Sequence, residues 1–340
     1  MNVFLLGYNT GGSPERHSYF IFHLLRKIPQ ISKIIYYKTQ CCSQHNILIS
    51  KIFQENKIDL IIQFDSNFKF DILPDYLKDI PKIHISEGEG PNYYVDILLA
   101  LNEFESCIDE SNINRVIYLP APVGNNFYII NSIEERVNNP VFFGRFIPNK
   151  CPEKWLNKIC EKFNCKIDVY SPETDYINKM KQYVNYKGYI NDSKQMNEVI
   201  NQYKYSIVIS ETESVCFFLK ESILAGCLPI GIKEQIYGNF LRHMHLDHTF
   251  KIMGFIEDSD EELQRKLQLL HDKDISKFYQ NLYSIERFMI EFLLVLRGLT
   301  LRDLKYDLNY ENQNYEVIGE HSSSYYDINI IDWNKLKLNQ

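Results

Sequence analysis

The stretch that decides the fold reads SETESVCFFLKESILAGCLPIGI, residues 210–232. YSIVIS at 205–210 enters it as an apolar run of strand length, and CLPIGI at 227–232 leaves it as another. Between them FFLKESIL has the content of a helix, with a glycine just past its end. Strand, helix and parallel strand make a right-handed crossover, the repeating unit of a doubly wound sheet. The unusual feature is a pair of carboxylates, Glu213 and Glu221, set eight positions apart across FFLK. Eight residues are about 2.2 helical turns, so the two can face roughly the same side. A helix built only for packing has no need of them.

The alternation continues in both directions. Upstream lie a strand NPVFFG (139–144), a helix EKWLNKICEKF with Trp155, Ile159 and Phe163 in line, and strands KIDVYS (166–171) and YVNYKGYI (183–190). A helix SKQMNEVINQY follows, opened by Asp192 or Ser193. Downstream, helices are expected near 260–271 and 275–297. The first half repeats the scheme with strands NVFLLG (2–7), KIIYYK (33–38), DLIIQF (59–64), PKIHIS (81–86), DILLALN (96–102) and RVIYLPAPV (115–123). After its first strand comes YNTGGSPER, with Ser13 as N-cap and Pro14 at the first helical position. Polar YIINSIEERVNN (128–139) reads as a linker. The expected fold class is therefore α/β, with two Rossmann-like doubly wound domains facing across a cleft. The first takes residues 1–130 and the second 138–300, with a tail, 301–340, that crosses back to the first. The cleft, at the carboxyl ends of the strands, is the expected ligand site.

A length of 340 residues suits two domains, and a net charge of −7 offers no global basic field, so nucleic acid is not the expected partner. MNVFLLGYNTGG lacks the shape of a signal peptide, and FMIEFLLVLRGL (288–299) is too short and too charged to span a bilayer. Eight cysteines without a CxxC pair read as reduced thiols of a cytoplasmic protein. HLLRKIPQISKIIYYK hints at peripheral contact with the inner membrane face.

Four loops at strand ends carry candidate chemistry. Gly11 and Gly12 let a backbone approach a ligand at a helix start, or else make a tight turn. GRFIPNK (144–150) places Arg145 and Lys150 in one loop: a guanidinium fork and a point charge suited to a diphosphate, or two solvated cations. Glu213 stands at the start of the helix that carries Glu221, matching the hydroxyls at both ends of a sugar nucleotide. In PKIHISEGEGPNYY, His84, Glu87 and Glu89 are candidates for the cleft, His84 equally a packed histidine. HMHLDH (243–248) matches no zinc spacing, and no metal is expected.

Together these loops resemble the retaining GT-B glycosyltransferases of glycosyltransferase family 4, whose second domain carries GR-x4-K and then S-x2-E-x7-E. Here Gly144-Arg145 with Lys150, then Ser210, Glu213 and Glu221, fall in step, and Gly11-Gly12 followed by His17 resembles that family's glycine loop. The resemblance covers most of residues 1–235 and implies a GT-B fold. It implies transfer of a sugar from a nucleotide diphosphate donor to a hydroxyl of a glycan, lipid-linked or protein acceptor, with retention. It further implies that Arg145 and Lys150 hold the diphosphate, that Glu221 takes the ribose hydroxyls, and that Glu213, Ser214 and Val215 contact the donor sugar. Gly11 and Gly12 would admit the donor, His84 would be the catalytic histidine, and the nucleotide sugar would be a co-substrate with no separate cofactor. Two departures stand out: Ser222 replaces the usual alanine, and Gly226-Cys-Leu-Pro has one residue more than G-x-P. Rival readings are an inverting enzyme resembling the α-1,3-fucosyltransferases, a GT-B protein that binds a nucleotide sugar without turnover, and a DNA-base glucosyltransferase, which an acidic chain disfavours.

Overall fold

The computed structural model describes residues 1–8, 13–39, 46–64, 79–86, 94–101, 113–211, 216–233 and 252–319. They form two compact units. The first begins with β1 (Asn2–Tyr8), α1 (Ser13–Arg26), β2 (Lys33–Thr39), α2 (Asn46–Glu55), β3 (Leu60–Phe64), β4 (Lys82–Ser86), β5 (Val95–Ala100) and β6 (Ile113–Tyr118). All six strands are parallel, in the order β2-β1-β3-β4-β5-β6. β3 and β4 are buried along their whole length, as parallel strands with both faces covered must be. β6 differs because it lies at the edge, and Asn114, Arg115 and Val116 are exposed.

The second unit, Ala121–Arg287, contains β7 (Val137–Phe143), α3 (Glu153–Phe163), β8 (Ile167–Tyr170), α4 (Asp175–Lys179), β9 (Val184–Tyr186), α5 (Ser193–Ile200), β10 (Tyr203–Ile207) and α6 (Phe217–Leu224). It continues with β11 (Leu228–Gly231), β12 (Gly254–Phe255), α7 (Asp260–His271), α8 (Lys273–Leu282) and the start of α9 (Ile285–Thr300). Its parallel sheet has the order β9-β8-β7-β10-β11-β12, so the winding reverses between β7 and β10. One core fills the side lined by Trp155, Leu156, Ile159, Leu263 and Leu267. Of the two candidate caps for α5, Asp192 is the one used: its carboxylate accepts from Gln195 N at 2.7 Å.

Three expectations change. The strand expected over 183–190 stops at Tyr186, because Gly188 turns the chain at φ +94°. The helix expected over 275–297 is two, α8 and α9. Tyr283 leaves the helical region, and Ser284 Oγ accepts from Arg287 N (3.1 Å) to start the second. The polar stretch at 128–139 is packed structure of the second unit, with β7 starting inside it. Ile130 N donates to Asn201 Oδ1 (2.7 Å), and Asn201 Nδ2 donates to Tyr128 O (3.0 Å).

From Phe288 the chain rejoins the first unit, where β13 (Tyr315–Ile318) pairs in parallel with β2, Tyr315 opposite Ile34. The approach is clamped by Asn312 Nδ2 donating to Ile31 O (2.6 Å) and by an Arg26–Glu311 ion pair (2.8 Å). Among the described residues no helix is long and apolar enough to cross a membrane.

Candidate functional site: the switch point of the second sheet

In an open parallel sheet, ligands gather at the carboxyl ends of the two strands between which the winding reverses. In the second unit those strands are β7 and β10, and the loops that leave them are the two that carry the motifs. The first loop turns at Gly144, whose φ of +123° is open to glycine and not to side-chain-bearing residues. Its path is then fixed from inside by Phe146. The ring is buried against Phe142 and Tyr176, the amide donates to Ser171 Oγ (3.0 Å), and the carbonyl accepts from Thr174 Oγ1 (2.9 Å). A buried anchor between the cations leaves Arg145 exposed and Lys150 half-buried on the same short loop. The turn closes with Lys150 N and Cys151 N both donating to Ile147 O.

The second loop is joined to the first by the main chain: Glu211 N donates to Asn149 O at 2.8 Å. That bond sets Glu211, two residues before Glu213, beside Asn149, the neighbour of Lys150 in sequence. Glu213, Ser214 and Val215 themselves lie outside the described residues. The chain resumes at Cys216, in the left-handed region with φ 43°, and enters α6. Leu219 to Leu224 are all buried, so this helix runs inside the unit and not along its surface.

Glu221 is thus no surface charge: it is 5% exposed. An ionised carboxylate is held at such a depth only with polar partners. Its neighbour Lys220 is 0% exposed, with Nζ 5.3 Å from the ring centre of Tyr283. Sequence reasoning drew nothing from Lys220; the signal available was a charge placed midway in a run otherwise made for burial. Aromatic rings crowd the start of α6. Phe218 lies 5.5 Å from Phe143, which stacks on Tyr170 at 4.6 Å.

The helix ends in a Schellman motif: Cys227 N donates to Ser222 O (2.9 Å) and Gly226 N to Ile223 O (3.1 Å), with Gly226 at φ +71°. Its freed carbonyls are taken up. Gly226 O is 2.8 Å from His271 Nε2, and Ala225 O accepts from Arg136 Nη2 at 2.8 Å. Burial lowers the pKa of His271, favouring the neutral ring that donates here. Sequence reasoning passed over Arg136, His271 and Ser171, which touch the motifs only in three dimensions.

The structure therefore brings Arg145, Lys150 and the helix of Glu221 to one end of one sheet. His84 belongs to the other unit, in the middle of β4 between Gln63 and Leu98, and is 1% exposed. Gly11, Gly12, Glu87, Glu89 and HMHLDH lie outside the described residues.

No protein-family model matches the chain, and no curated protein matches it. Solved structures do. AviGT4, a glycosyltransferase involved in avilamycin A biosynthesis, aligns over 90% of this chain and 100% of its own, with a TM-score of 0.56 and 12% identity. Sucrose-phosphate synthase from Thermosynechococcus elongatus aligns over 88% and 99%, with a TM-score of 0.57 and 10% identity. The lipopolysaccharide outer core galactosyltransferase WaaB, in its apo form, aligns over 88% and 99%, with a TM-score of 0.55 and 12% identity. At these identities the likeness is one of architecture: the chain has the GT-B fold, two α/β units each built on a parallel sheet.

Proposed function

We propose that the protein is a retaining glycosyltransferase that moves a sugar from a nucleotide diphosphate donor to an acceptor hydroxyl. One observation carries the reading. The loop of Arg145 and Lys150 and the loop leading to the Glu221 helix leave adjacent strands at the switch point, tied by the Glu211–Asn149 bond. Two cations then stand beside a buried carboxylate helix, the distribution of charge that a sugar nucleotide needs. The three solved structures of the same fold are each named for making or transferring sugar linkages, which supports the same class.

On this reading Arg145 and Lys150 bind the diphosphate and stabilise the charge that grows on it as the sugar departs, a task metal ions perform in other transferases. No metal is assigned. Glu221 accepts hydrogen bonds from the ribose hydroxyls, and Glu213, Ser214 and Val215 contact the donor sugar. Gly11 and Gly12, also assigned to the donor, lie outside the described residues. In the transfer, the bond from the anomeric carbon to the phosphate oxygen breaks and the bond to the acceptor oxygen forms on the same face. The hydroxyl proton leaves on the departing nucleoside diphosphate. No carboxylate nucleophile is assigned. His84, buried at mid-strand in β4, is kept as the candidate catalytic histidine of the first unit, with no step assigned to it. The acceptor is a hydroxyl of a glycan, a lipid-linked saccharide or a protein, which puts the product in glycoconjugate biosynthesis. A lipid-linked acceptor would hold the protein at the cytoplasmic membrane face.

The test is a thermal-shift panel of UDP-, GDP-, CMP- and dTDP-sugars without metal, on the wild type and Glu221→Ala. One nucleotide family is expected to raise the melting temperature of the wild type and not of the variant. A folded wild type that no donor shifts at millimolar concentration sinks the proposal. With the donor known, the anomeric configuration of the product separates retention from inversion, and binding without hydrolysis or transfer would leave a non-catalytic binder.

A further inference from the structure

We infer that Arg136 is the positioning residue of the Glu221 helix: its guanidinium fixes the C-terminal end of α6, and through it the place of Glu221. Arg136 lies in the stretch before β7, where a charged side chain reads as solvated linker, yet it is buried. Its bonds all go to neutral carbonyl oxygens. Nη2 donates to Asn201 Oδ1 (2.7 Å), Ala225 O (2.8 Å) and Asn131 O (3.0 Å). Nη1 donates to Tyr203 O (3.3 Å), and Nε to Asn131 O (3.2 Å). Burying a guanidinium is costly, and an apolar side chain would fill the position more cheaply. What the guanidinium adds is a rigid planar fork that reaches three segments at once: the stretch before β7 at Asn131, the start of β10 at Tyr203 and the end of α6 at Ala225.

The third of these matters for the site. Ala225 caps α6, and its own amide donates to Glu221 O (3.0 Å), so the anchor and the carboxylate residue are one turn apart on one helix. The anchored carbonyl is at the negative end of the helix dipole, where a cation is favoured. Two further contacts stop the helix from turning about that point. Gly226 O is held by His271 Nε2, and a Cβ on Gly226 would come within 2.9 Å of Ile129 Cγ1, so the helix end sits flush on the same stretch before β7. A group held this way keeps its placement within the fraction of an ångström that productive binding demands; a misplacement of 1 Å costs about a hundredfold in rate.

The inference rests on the donor-binding reading, and a double-mutant cycle separates the two. Donor affinity, kcat and KM are measured for wild type, Arg136→Met, Glu221→Gln and the double variant, with circular dichroism to show folding. Arg136→Met is expected to weaken donor binding tenfold or more, mostly in KM. The double variant should bind no more than threefold more weakly than Glu221→Gln alone, because Arg136 acts through Glu221. Losses that multiply in the double variant would show a role in the unit at large and overturn the inference, as would unchanged affinity in a folded Arg136→Met. Should Arg136→Met not fold, Arg136→Lys keeps the charge but loses the fork, and the same cycle is read with it. A wild type that binds no nucleotide sugar instead overturns the functional proposal, and this inference with it.

Discussion

Ser222 buries a hydroxyl that finds no hydrogen-bond partner among the described residues. Its helix neighbours on that side are apolar, and alanine would leave nothing unsatisfied. Ser222→Ala is expected to stabilise the protein by about 1 kcal/mol, read as a higher urea midpoint at unchanged slope; a lower midpoint would mean the hydroxyl has a partner after all. Two glycines give a matched pair. Both Gly188 (φ +94°) and Gly226 (φ +71°) use backbone regions that disfavour a side chain, but a Cβ at Gly188 meets nothing within 4 Å. At Gly226 it would come within 2.9 Å of both His271 Nε2 and Ile129 Cγ1. Gly188→Ala should therefore cost about 1 kcal/mol, the backbone contribution alone, and Gly226→Ala distinctly more, with loss of donor binding as α6 shifts. Equal costs in denaturant melts would show that Ile129 and His271 yield freely. Residue spacing was legible here because a loop between a strand and a helix keeps Arg145 and Lys150 at a fixed interval whatever surrounds them. Burial was not legible: Arg136 and Lys220 are charges whose depth is decided by segments far away in sequence.

Among the elements, those with periodic apolar faces and polar caps were readable. α3 spans Glu153–Phe163 as its Trp155, Ile159 and Phe163 require, and Asp192 opens α5. The elements that escaped lack such signals. The break at Tyr283 and Ser284 interrupts a run of good helix formers without a glycine or proline. β13 has no alternation to find because it is a short edge strand, half of it exposed. It is held instead by particular contacts: Asn312 to Ile31, the Arg26–Glu311 pair, and the Arg26 guanidinium 4.4 Å over the Tyr315 ring. Asn312→Ala removes a buried amide that accepts from Asn314 N as well as donating to Ile31 O. It should cost about 2 kcal/mol. Amide exchange is expected to quicken in Tyr315–Ile318 and β2 before anywhere in the second unit. Uniform quickening throughout the chain would show that the clasp is not a local device.

For the molecule as a whole, the fold was legible because each half repeats one crossover; the tie between Asn149 and Glu211 was not, since it is made by backbone atoms that no side chain announces. Stability should also carry a signature in pH. His23 is packed edge-on to Tyr19 (4.4 Å) and lies near Phe22 and Arg26. Burial first, then the Arg26 charge, lowers its pKa to about 4. The unfolded chain takes up that proton near pH 6.5, well before the folded one does. Stability is therefore complete above about pH 6.5 and declines as pH falls toward 4, by roughly 2 kcal/mol from this ring. His271, lowered by burial, adds a slope of the same sign. Melting temperatures from pH 7.5 to 4.5 should fall less steeply in His23→Gln than in the wild type; parallel curves would remove His23 from the account.

The return of the chain to β2 also bears on how the protein is made. A ribosome delivers β2 before the whole of Ala121–Arg287, and its outer partner, β13, only after that unit has emerged. Through that interval β2 stands as an open strand edge, the kind that invites wrong partners. The contiguous second unit can complete its sheet while the first still waits, so the half that is synthesised first is the half that finishes folding last.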